Sequence, residues 1–405
     1  MPQERVVLKN CGVIDPRDIN SATAAGAFSA LSRAKAELSP EQVIDIIKAS
    51  GLRGRGGAGF PCGIKWEGAR NFPADTKYVI CNADEGEVGT FKDRYILEGD
   101  PYSMVEGLAI AGYAVGAKEG FIYLRAEYHY LLDLLENAIA QAEAKGFLAG
   151  FKITVREGAG AYVCGEESAL MESIEGKRGE SRYKPPFPTQ TGLWAQPTTI
   201  NNVETLMNVP RIVGNGAEWF GAMGTDASKG TKVFSLAGDV ANPGVYEMVL
   251  GSSLKELVGN LGGAENPALI QIGGATGRII PYDQADTLLA FESLLGAGAV
   301  TVFNRMRDVL DIVYRTVEFL TSESCGKCTP CRQGTEVMLE IMERFIEGQG
   351  KAADIPVLES LARTMADASL CGLGQAAPTA VLDTLTHFRG AYDQGLSDNK
   401  GGETK

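Results

Sequence analysis

Residues 77–90 read KYVICNADEGEVGT, and the whole architecture can be worked out from this stretch. The apolar run at 77–82 predicts a buried strand, and an acidic loop containing glycine follows it. Ser39, Pro40 and Gly51 mark the cap, first residue and stop of an earlier helix. The same rhythm continues downstream as helix 101–116, strand 121–124, helix 128–145 and strand 151–155. Strands that alternate with helices of this length predict an α/β fold on a parallel sheet.

The pattern changes three times toward the C-terminus. Residues 177–199 are rich in Pro and Gly and too long for a plain connection, which is typical of a functional loop. Short β segments with glycine-rich turns then predict a small α+β domain, and helical periodicity predicts a helical bundle. We therefore expect an α/β domain at 1–225, an α+β domain at 226–304, a bundle at 305–392 and a disordered tail at 393–405.

Composition excludes several classes of function. The chain has 405 residues, enough for two or three domains. Its formal net charge of −13 leaves no basic footprint for nucleic acid or for an anionic membrane surface. The longest apolar run, 108–117, is far too short to span a bilayer. The N-terminus has no signal-peptide core, so we expect a cytoplasmic protein without direct membrane insertion.

Four of the eight cysteines form a metal-binding pattern. Cys325, Cys328 and Cys331 are spaced CxxCxxC, and Cys371 follows about 40 residues later. Three thiolates from one loop plus one remote thiolate is a usual way to hold a [4Fe–4S] cluster. The alternatives are structural zinc, which more often uses two CxxC pairs or adds histidine, and buried free thiols. Cys11, Cys62, Cys81 and Cys164 share no such spacing and are expected to be packing residues.

A glycine-rich loop, GRGGAGF at 54–60, contains a formal GxGxxG. It follows a helix instead of a strand, so it is not an ordinary dinucleotide fingerprint. Its backbone can still approach a flat ring or a phosphate closely, and Lys65 could neutralise that phosphate. A plain structural loop is the alternative. Acidic, glycine-containing loops at 82–87 and 158–167 each follow a predicted strand, where open α/β sheets bind ligands, and this favours a ligand cleft.

Several segments resemble one family. They are GLRGRGGAGFPCGIKW, NADEGEVGTFKDR, GAGAYVCGEESAL, TINNVETL, SCGKCTPCR and LCGLG. Together they resemble the NADH-oxidising flavoprotein subunit of respiratory complex I, which recurs in NAD-dependent hydrogenases and formate dehydrogenases. The resemblance runs from about residue 30 to 390 in family order. Two features depart from it. Val88 stands where a proline is usual, and the stretch Trp66-Glu67-Gly68 lacks an aromatic residue that complex I members often carry, which implies less adenine stacking.

The resemblance implies a Rossmann-like domain for FMN and NADH, a β-grasp-like middle domain and a [4Fe–4S] helical bundle. Glu85 and Glu87 are the implied catalytic carboxylates on the NADH side, and Phe60 and Phe187 would stack on adenine. Glu167 and Lys184 would also contact NADH. The implied FMN contacts are Gly54, Arg55, Gly56, Lys65, Asn82, Asp84, Tyr162, Gly165, Glu166, Asn201 and Asn202.

The implied activity is hydride transfer between NADH and FMN, followed by single-electron transfer through the cluster. The implied partners are a thioredoxin-like [2Fe–2S] subunit and a larger iron–sulfur subunit. The same site could run in reverse or divide electrons between two acceptors, as in a hydrogenase or formate dehydrogenase. A non-catalytic iron–sulfur relay and a zinc-stabilised scaffold are the alternatives from other classes.

Overall fold

A computed structural model describes residues 5–397. The N-terminal part carries strands β1 (Tyr78–Ala83), β2 (Glu119–Leu124), β3 (Lys152–Glu157) and β4 (Thr198–Asn202). Its helices are α1 (Ile19–Ala24), α2 (Ser29–Glu37), α3 (Pro40–Ala49), α4 (Cys62–Asn71), α5 (Lys92–Gly99), α6 (Pro101–Val115), α7 (Leu132–Ala144), α8 (Glu167–Ile174), α9 (Val203–Asn215) and α10 (Ala217–Gly221).

The four strands form one parallel sheet in the order β3-β2-β1-β4, which confirms the predicted α/β fold. The helix predicted at 39–51 is α3, where Ser39 and Gln42 form a capping box and Pro40 is the first residue. Strand β4 was not predicted, because it is short and lies at the end of the Pro/Gly-rich stretch 177–199. It pairs with β1 in parallel, so the carboxyl ends of β1 and β4 lie side by side.

The middle part carries β5 (Thr231–Gly238), β6 (Gly244–Val249), β7 (Pro267–Ile272), β8 (Arg278–Pro281) and β9 (Ala299–Asn304). They form a sheet in the order β6-β5-β9-β7-β8. The first and last of these strands, β5 and β9, are parallel neighbours at the centre, and the other pairs are antiparallel. A short helical segment at Glu256–Leu261 connects β6 to β7. This is the arrangement of a β-grasp fold, as expected.

The C-terminal part is helical, with α11 (Val309–Ser322), α12 (Thr329–Ile346), α13 (Asp354–Ala368), α14 (Gly372–Ala376), α15 (Thr379–His387) and α16 (Arg389–Gln394). The expected domain boundaries at 225 and 304 fall between α10 and β5 and between β9 and α11, and the division itself stays a prediction. The expected tail starts too early, because α16 runs through residue 394 and Leu396 pairs with Gly350. Residues 398–405 lie outside the described residues.

Within residues 5–397, we find no helix with the length and apolar character needed to cross a membrane.

Helix α2 begins without a side-chain cap of its own, since its N-cap Phe28 provides no hydrogen bond. The missing acceptor comes from α6, where buried Glu106 accepts a hydrogen bond from the backbone N–H of Leu31 at 3.0 Å. Burial raises the pKa of Glu106 to about 7, although backbone N–H groups oppose the rise. A buried carboxyl group is therefore part of the cap, and its protonation state is coupled to folding.

We expect Glu106→Gln to change how stability depends on pH. The pKa of Glu106 is higher in the folded state than in the unfolded state. Its contribution to stability is therefore fully present below about pH 4.5 and is lost as the pH rises through about 7. The wild type should therefore lose on the order of 1–3 kcal/mol relative to the glutamine variant across this window. Denaturant unfolding at several pH values measures the difference. The exposed Glu37 of α2 provides a control as Glu37→Gln, and a difference that does not vary with pH would contradict this role.

Candidate functional site

A cavity of about 520 Å³ opens at the carboxyl ends of β1 and β4, where parallel α/β sheets bind ligands. Its volume is in the range of small-molecule and cofactor sites. The middle part closes it with Gly273, Thr276 and Gly296, and the C-terminal part closes it with Cys371. The sequence-predicted residues that line it are Gly56, Asn82, Asp84, Glu85, Glu87, Tyr162, Gly165, Glu166, Asn202 and Cys371.

Asn82 and Asp84 are fixed where β1 ends. The side-chain amide of Asn82 donates to the carbonyl oxygen of Gly165 at 2.9 Å, and its Oδ1 accepts from the N–H of Asp84 at 3.0 Å. Among the residues that the structure describes, no group donates a hydrogen bond to Asp84 Oδ2, although this atom is buried. Burial raises the pKa of Asp84 to about 7. An orphaned polar atom in a cavity wall fits a site for a ligand that carries a hydrogen-bonding group.

The buried side chain of Glu85 is hydrogen-bonded to the start of α5. Its Oε1 accepts from the N–H of Asp93 at 2.7 Å, and its Oε2 accepts from the N–H of Arg94 and from the Tyr128 hydroxyl. Burial raises the pKa of this carboxyl group, and Asp93 adds to the rise. Glu85 therefore stabilises the helix that carries Lys92 into the cavity wall.

Glu87 joins the N-terminal part to the middle part. Its Oε1 accepts from the N–H of Ala275, and its Oε2 accepts from the hydroxyls of Tyr162 and Thr276, each at 2.7 Å. Burial raises the pKa of Glu87, and these donors oppose the rise. The backbone N–H of Tyr162 donates to Glu323 of the C-terminal part at 2.9 Å. The two implied catalytic carboxylates thus line the cavity with their oxygens already hydrogen-bonded.

The glycine-rich loop contributes Gly56, Gly57 and Ala58 to the cavity wall. A Cβ at Gly56 would lie 3.0 Å from the side chain of Asn202, so any larger residue would force Asn202 to shift. Gly54 and Arg55 lie outside the lining. The Arg55 side chain is fully buried and donates to the carbonyl oxygen of Lys229 at 2.6 Å.

Two lysines and two carboxylates form a charge group beside the cavity. Lys65 donates to Glu167 at 3.0 Å, and Lys184 donates to Glu166 at 2.9 Å and to Glu167 at 2.8 Å. Burial alone would raise the pKa of Glu167, but Lys65 and Lys184 outweigh it and lower the pKa to about 2. Glu166 also caps α8 by accepting from the N–H of Ser168. Only Glu166 of these four lines the cavity.

Asn201 and Asn202 point in different directions. Asn202 lines the cavity and caps α9, whereas Asn201 accepts from the Trp66 indole at 2.8 Å and donates to Cys62 Sγ. Asn201 is therefore a buried packing contact of α4. Phe60 and Phe187 lie outside the cavity lining, and both rings are about half exposed.

All four candidate cluster ligands line one small cavity: Cys325, Cys328, Cys331 and Cys371. Burial raises the pKa of Cys331 to about 11, so a thiolate there needs a nearby positive charge, which bound iron would supply. Within residues 5–397, no group of three or more His, Cys, Asp or Glu side chains could hold a single metal ion. A cubane cluster places each thiolate on a different iron, so its ligands surround a volume instead of a point.

The long loop 177–199 holds the cysteine loop in place. Arg178 donates to the carbonyl oxygen of Cys325, and Lys327 donates to the carbonyl oxygen of Ser181, both at 2.8 Å. The same loop carries Lys184 to the charge group beside the larger cavity. The sequence-based expectation that this loop is functional is therefore consistent with its position between the two cavities.

Sequence reasoning missed lining residues from three places. Lys92 and Asp93 line the cavity, as do residues of the glycine-rich turns IGGATG (272–277) and LLGAGA (294–299). The family-like segment NADEGEVGTFKDR contains both Lys92 and Asp93, so a signal for them was present in the sequence. The sequence identifies these two segments only as turns, because no local pattern indicates which cavity they line.

Known families match both ends of the chain. Residues 47–211 match a family model described as the Nuo51 FMN-binding domain. Residues 311–395 match a model described as the NADH-ubiquinone oxidoreductase-F iron–sulfur binding region. The second match spans all four cysteines, which favours a cluster over structural zinc.

Similar proteins cover nearly the whole chain. The HndC subunit of an NADP-reducing hydrogenase from Solidesulfovibrio fructosivorans is 44% identical over 98% of this chain and 84% of its own length. A subunit of an NADH-quinone oxidoreductase of Rhizobium meliloti (strain 1021) is 42% identical over 96% of this chain and 97% of its own. A crystal structure of an NAD⁺-reducing [NiFe]-hydrogenase superposes with a TM-score of 0.88 and 42% identity, over 91% of this chain and 64% of that one.

These matches agree with the parallel sheet, the cavity at its carboxyl edge and the four-cysteine pocket. The chain belongs to the family of Nuo51-type, FMN- and iron–sulfur-binding subunits that NADH-quinone oxidoreductases share with NAD(P)-reducing hydrogenases.

Proposed function

We propose that this chain is the NADH-oxidising subunit of a multisubunit redox complex. One observation carries the proposal: Cys371 lines both the large cavity and the four-cysteine cavity. Val163 and Leu373 also line both. A flavin in the first cavity would therefore lie against a ligand of the cluster in the second. When bound, FMN supplies the chemistry that side chains cannot, since it accepts a hydride and gives up its electrons singly.

The side chains bind and orient the reactants. Asn82, Asp84, Gly165 and Asn202 are suited to hold FMN, because they present polar groups to the cavity from fixed backbone positions. Glu85 and Glu87 act by positioning, since their oxygens are occupied by donors. Cys325, Cys328, Cys331 and Cys371 hold the [4Fe–4S] cluster.

NADH would approach from the side of the charge group and the exposed rings. Phe60 and Phe187 offer the aromatic faces on which an adenine stacks. Glu167 and Lys184 lie where α8 begins, and a carboxylate there can accept a hydrogen bond from a ribose hydroxyl.

A second function is flow in the opposite direction, in which the site reduces NAD⁺ or NADP⁺ or divides electrons between acceptors. The names of two relatives, an NADP-reducing and an NAD⁺-reducing hydrogenase, favour it. Direction depends on the potentials of the partners, so anaerobic assays in both directions distinguish the two functions.

The relatives are subunits of hydrogenases and quinone oxidoreductases, and we propose that this chain also works in such an assembly. Its partners would be a thioredoxin-like [2Fe–2S] subunit and a larger iron–sulfur subunit, because electrons that reach the cluster need an onward acceptor. We further propose a cytoplasmic location, where thiols stay reduced, since all eight cysteines are free.

Anaerobically purified wild type should contain about four iron and four sulfide per chain, and NADH should bleach its flavin and reduce its cluster. Cys371→Ala should lose the cluster, because the fourth iron loses its ligand, and should keep the flavin. Iron and sulfide assays with EPR spectroscopy measure this. Cys11→Ala, at a buried packing cysteine, is the matched control and should keep the full complement. Zinc without sulfide in the wild type would exclude the cluster.

Glu167→Gln should narrow the preference for NADH over NADPH. It removes one of two carboxylates that neutralise Lys65 and Lys184, and the excess positive charge then attracts a 2′-phosphate. We expect the ratio of the two kcat/KM values to fall roughly tenfold. Steady-state kinetics with an artificial acceptor measure it. Glu67→Gln, at an exposed carboxylate paired with Lys48, is the control. An unchanged ratio in flavin-replete Glu167→Gln would leave Glu167 only a stabilising role at the start of α8.

A further inference from the structure

The glycine-rich loop is the tip of a hairpin that spans residues 52–62. The two arms of this hairpin are joined by the N–H of Gly54, which donates to the carbonyl oxygen of Phe60 at 2.9 Å, and by an antiparallel bridge one residue further out. The tip at 56–58 lines the large cavity, whereas the Phe60 ring beside it is 52% exposed. The position of this hairpin therefore decides where the Phe60 ring can meet a ligand.

An aromatic ring of the middle part lies against this hairpin. The guanidinium carbon of Arg53 is 4.1 Å from the centre of the Phe291 ring, and that of Arg55 is 5.5 Å from it. Guanidinium groups within about 6 Å of a ring face are attracted to it electrostatically. Gly59 is buried at the same contact, since its φ is 65° and a Cβ there would lie 2.7 Å from two atoms of the Phe291 ring. Phe291 thus contacts both arms of the hairpin.

Arg53 connects this contact to Phe60. Its Nε donates to the carbonyl oxygen of Gly59 at 2.7 Å, while its guanidinium group lies over the Phe291 ring. The carbonyl oxygen of Phe60 is held in turn by the N–H of Gly54. The peptide groups on both sides of the Phe60 side chain are therefore fixed, and one of them is fixed by the side chain that lies over Phe291.

Phe291 is itself fixed within the middle part. Its backbone N–H donates to the Ser228 hydroxyl at 2.9 Å, and the neighbouring Glu292 accepts hydrogen bonds from the hydroxyls of Ser228 and Thr225. The ring also packs against the apolar core of the middle part. A side chain that is held by its own backbone and by a packed core gives the hairpin a rigid support.

We propose that Phe291 and Arg53 form a positioning pair for the nicotinamide nucleotide, because they hold the hairpin 52–62 so that the Phe60 ring faces the adenine. The inference rests on the proposed function, in which Phe60 offers an aromatic face to NADH. Neither Phe291 nor Arg53 lines the cavity, so both act through Phe60. The middle part of the chain thereby acquires a role in nucleotide binding.

The test compares two substrates of the flavin-replete full-length protein, with an artificial electron acceptor: NADH, and reduced nicotinamide mononucleotide, which lacks the adenine. The ratio of their kcat/KM values measures the contribution of the adenine half. Phe60→Ala should lower this ratio about tenfold, because stacking on an aromatic side chain strengthens the binding of a base by about this factor.

Phe291→Leu keeps apolar bulk on the core and removes the aromatic face. It should lower the same ratio about threefold to tenfold, through a higher KM for NADH and with kcat per bound flavin unchanged. Phe291→Tyr keeps the ring and should retain the wild-type ratio. Tyr282→Leu is the matched control, because it removes a ring that packs against the same core, and it should leave the ratio unchanged.

A ratio that Phe291→Leu leaves unchanged, or that Tyr282→Leu lowers equally, would make Phe291 a packing residue only and overturn the inference. The double variant Phe60→Ala/Phe291→Leu should lower the ratio no further than Phe60→Ala alone, since both changes act on one contact. Additive losses would show that Phe291 does not act through Phe60 and would also overturn the inference.

Arg53→Met decides the question if Phe291→Leu does not fold. It keeps the aliphatic bulk but removes the cation and the hydrogen bond to Gly59, so it should lower the ratio, and an unchanged ratio would overturn the inference. An unchanged ratio in Phe60→Ala, or a wild type that oxidises both nucleotides equally well, would overturn this inference and leave the proposed function standing. Flavin-replete wild type that oxidises neither nucleotide would instead contradict the proposed function.

Discussion

The carboxylate of Glu87 is the contact on which the arrangement of the two cavities depends. It accepts hydrogen bonds from Tyr162, from Thr276 and from the N–H of Ala275, and Tyr162 in turn donates to Glu323. These bonds link all three parts of the chain around one volume. Hydrogen bonds to charged groups contribute about 1.5–3 kcal/mol each, but burying the charge costs a comparable amount. Glu87 therefore contributes more to the relative placement of the parts than to net stability.

This placement also explains a glycine. Gly274 has a φ of 73°, and a Cβ there would lie 2.3 Å from Glu87 Cγ. A side chain at this position would displace Glu87 and disturb its hydrogen bonds to Ala275 and Thr276.

Short sequence patterns were enough to predict the elements that depend only on neighbouring residues. Strand β1, helix α3 and the CxxCxxC loop follow from apolar runs, caps and spacing, and the structure has all three. Strand β4 was missed because its neighbours are prolines and glycines. Without β4, the alternation of side chains along a strand could not separate Asn201, which faces α4, from Asn202, which faces the cavity. The sequence therefore did not indicate that the two asparagine side chains lie on different sides of the strand.

The partners of charged side chains could not be predicted from local sequence. Lys65 and Lys92 each lie in a family-like segment, and either could meet a phosphate. Lys65 pairs with a carboxylate 102 residues away, and Lys92 shares Glu204 with a lysine of the next part of the chain. Such pairings depend on the packing of the sheet against the middle part. The resemblance supplied a role for Lys65, whereas the structure places Lys92 in the cavity wall.

The carboxyl groups in the cavity wall bear on how easily a bound flavin accepts electrons. The protein carries a formal net charge of −13, and five of its carboxyl groups line the cavity: Asp84, Glu85, Glu87, Asp93 and Glu166. Accepting a hydride adds negative charge to a flavin, so ionised carboxylates beside it would oppose the reaction. Burial raises the pKa of Asp84, Glu85 and Glu87, which favours the neutral forms of these three groups. A protonated Asp84 could also donate a hydrogen bond from Oδ2, which has no partner within residues 5–397. The raised pKa values of these three carboxyl groups thus reduce the repulsion that a flavin would meet as it takes up electrons inside an acidic protein.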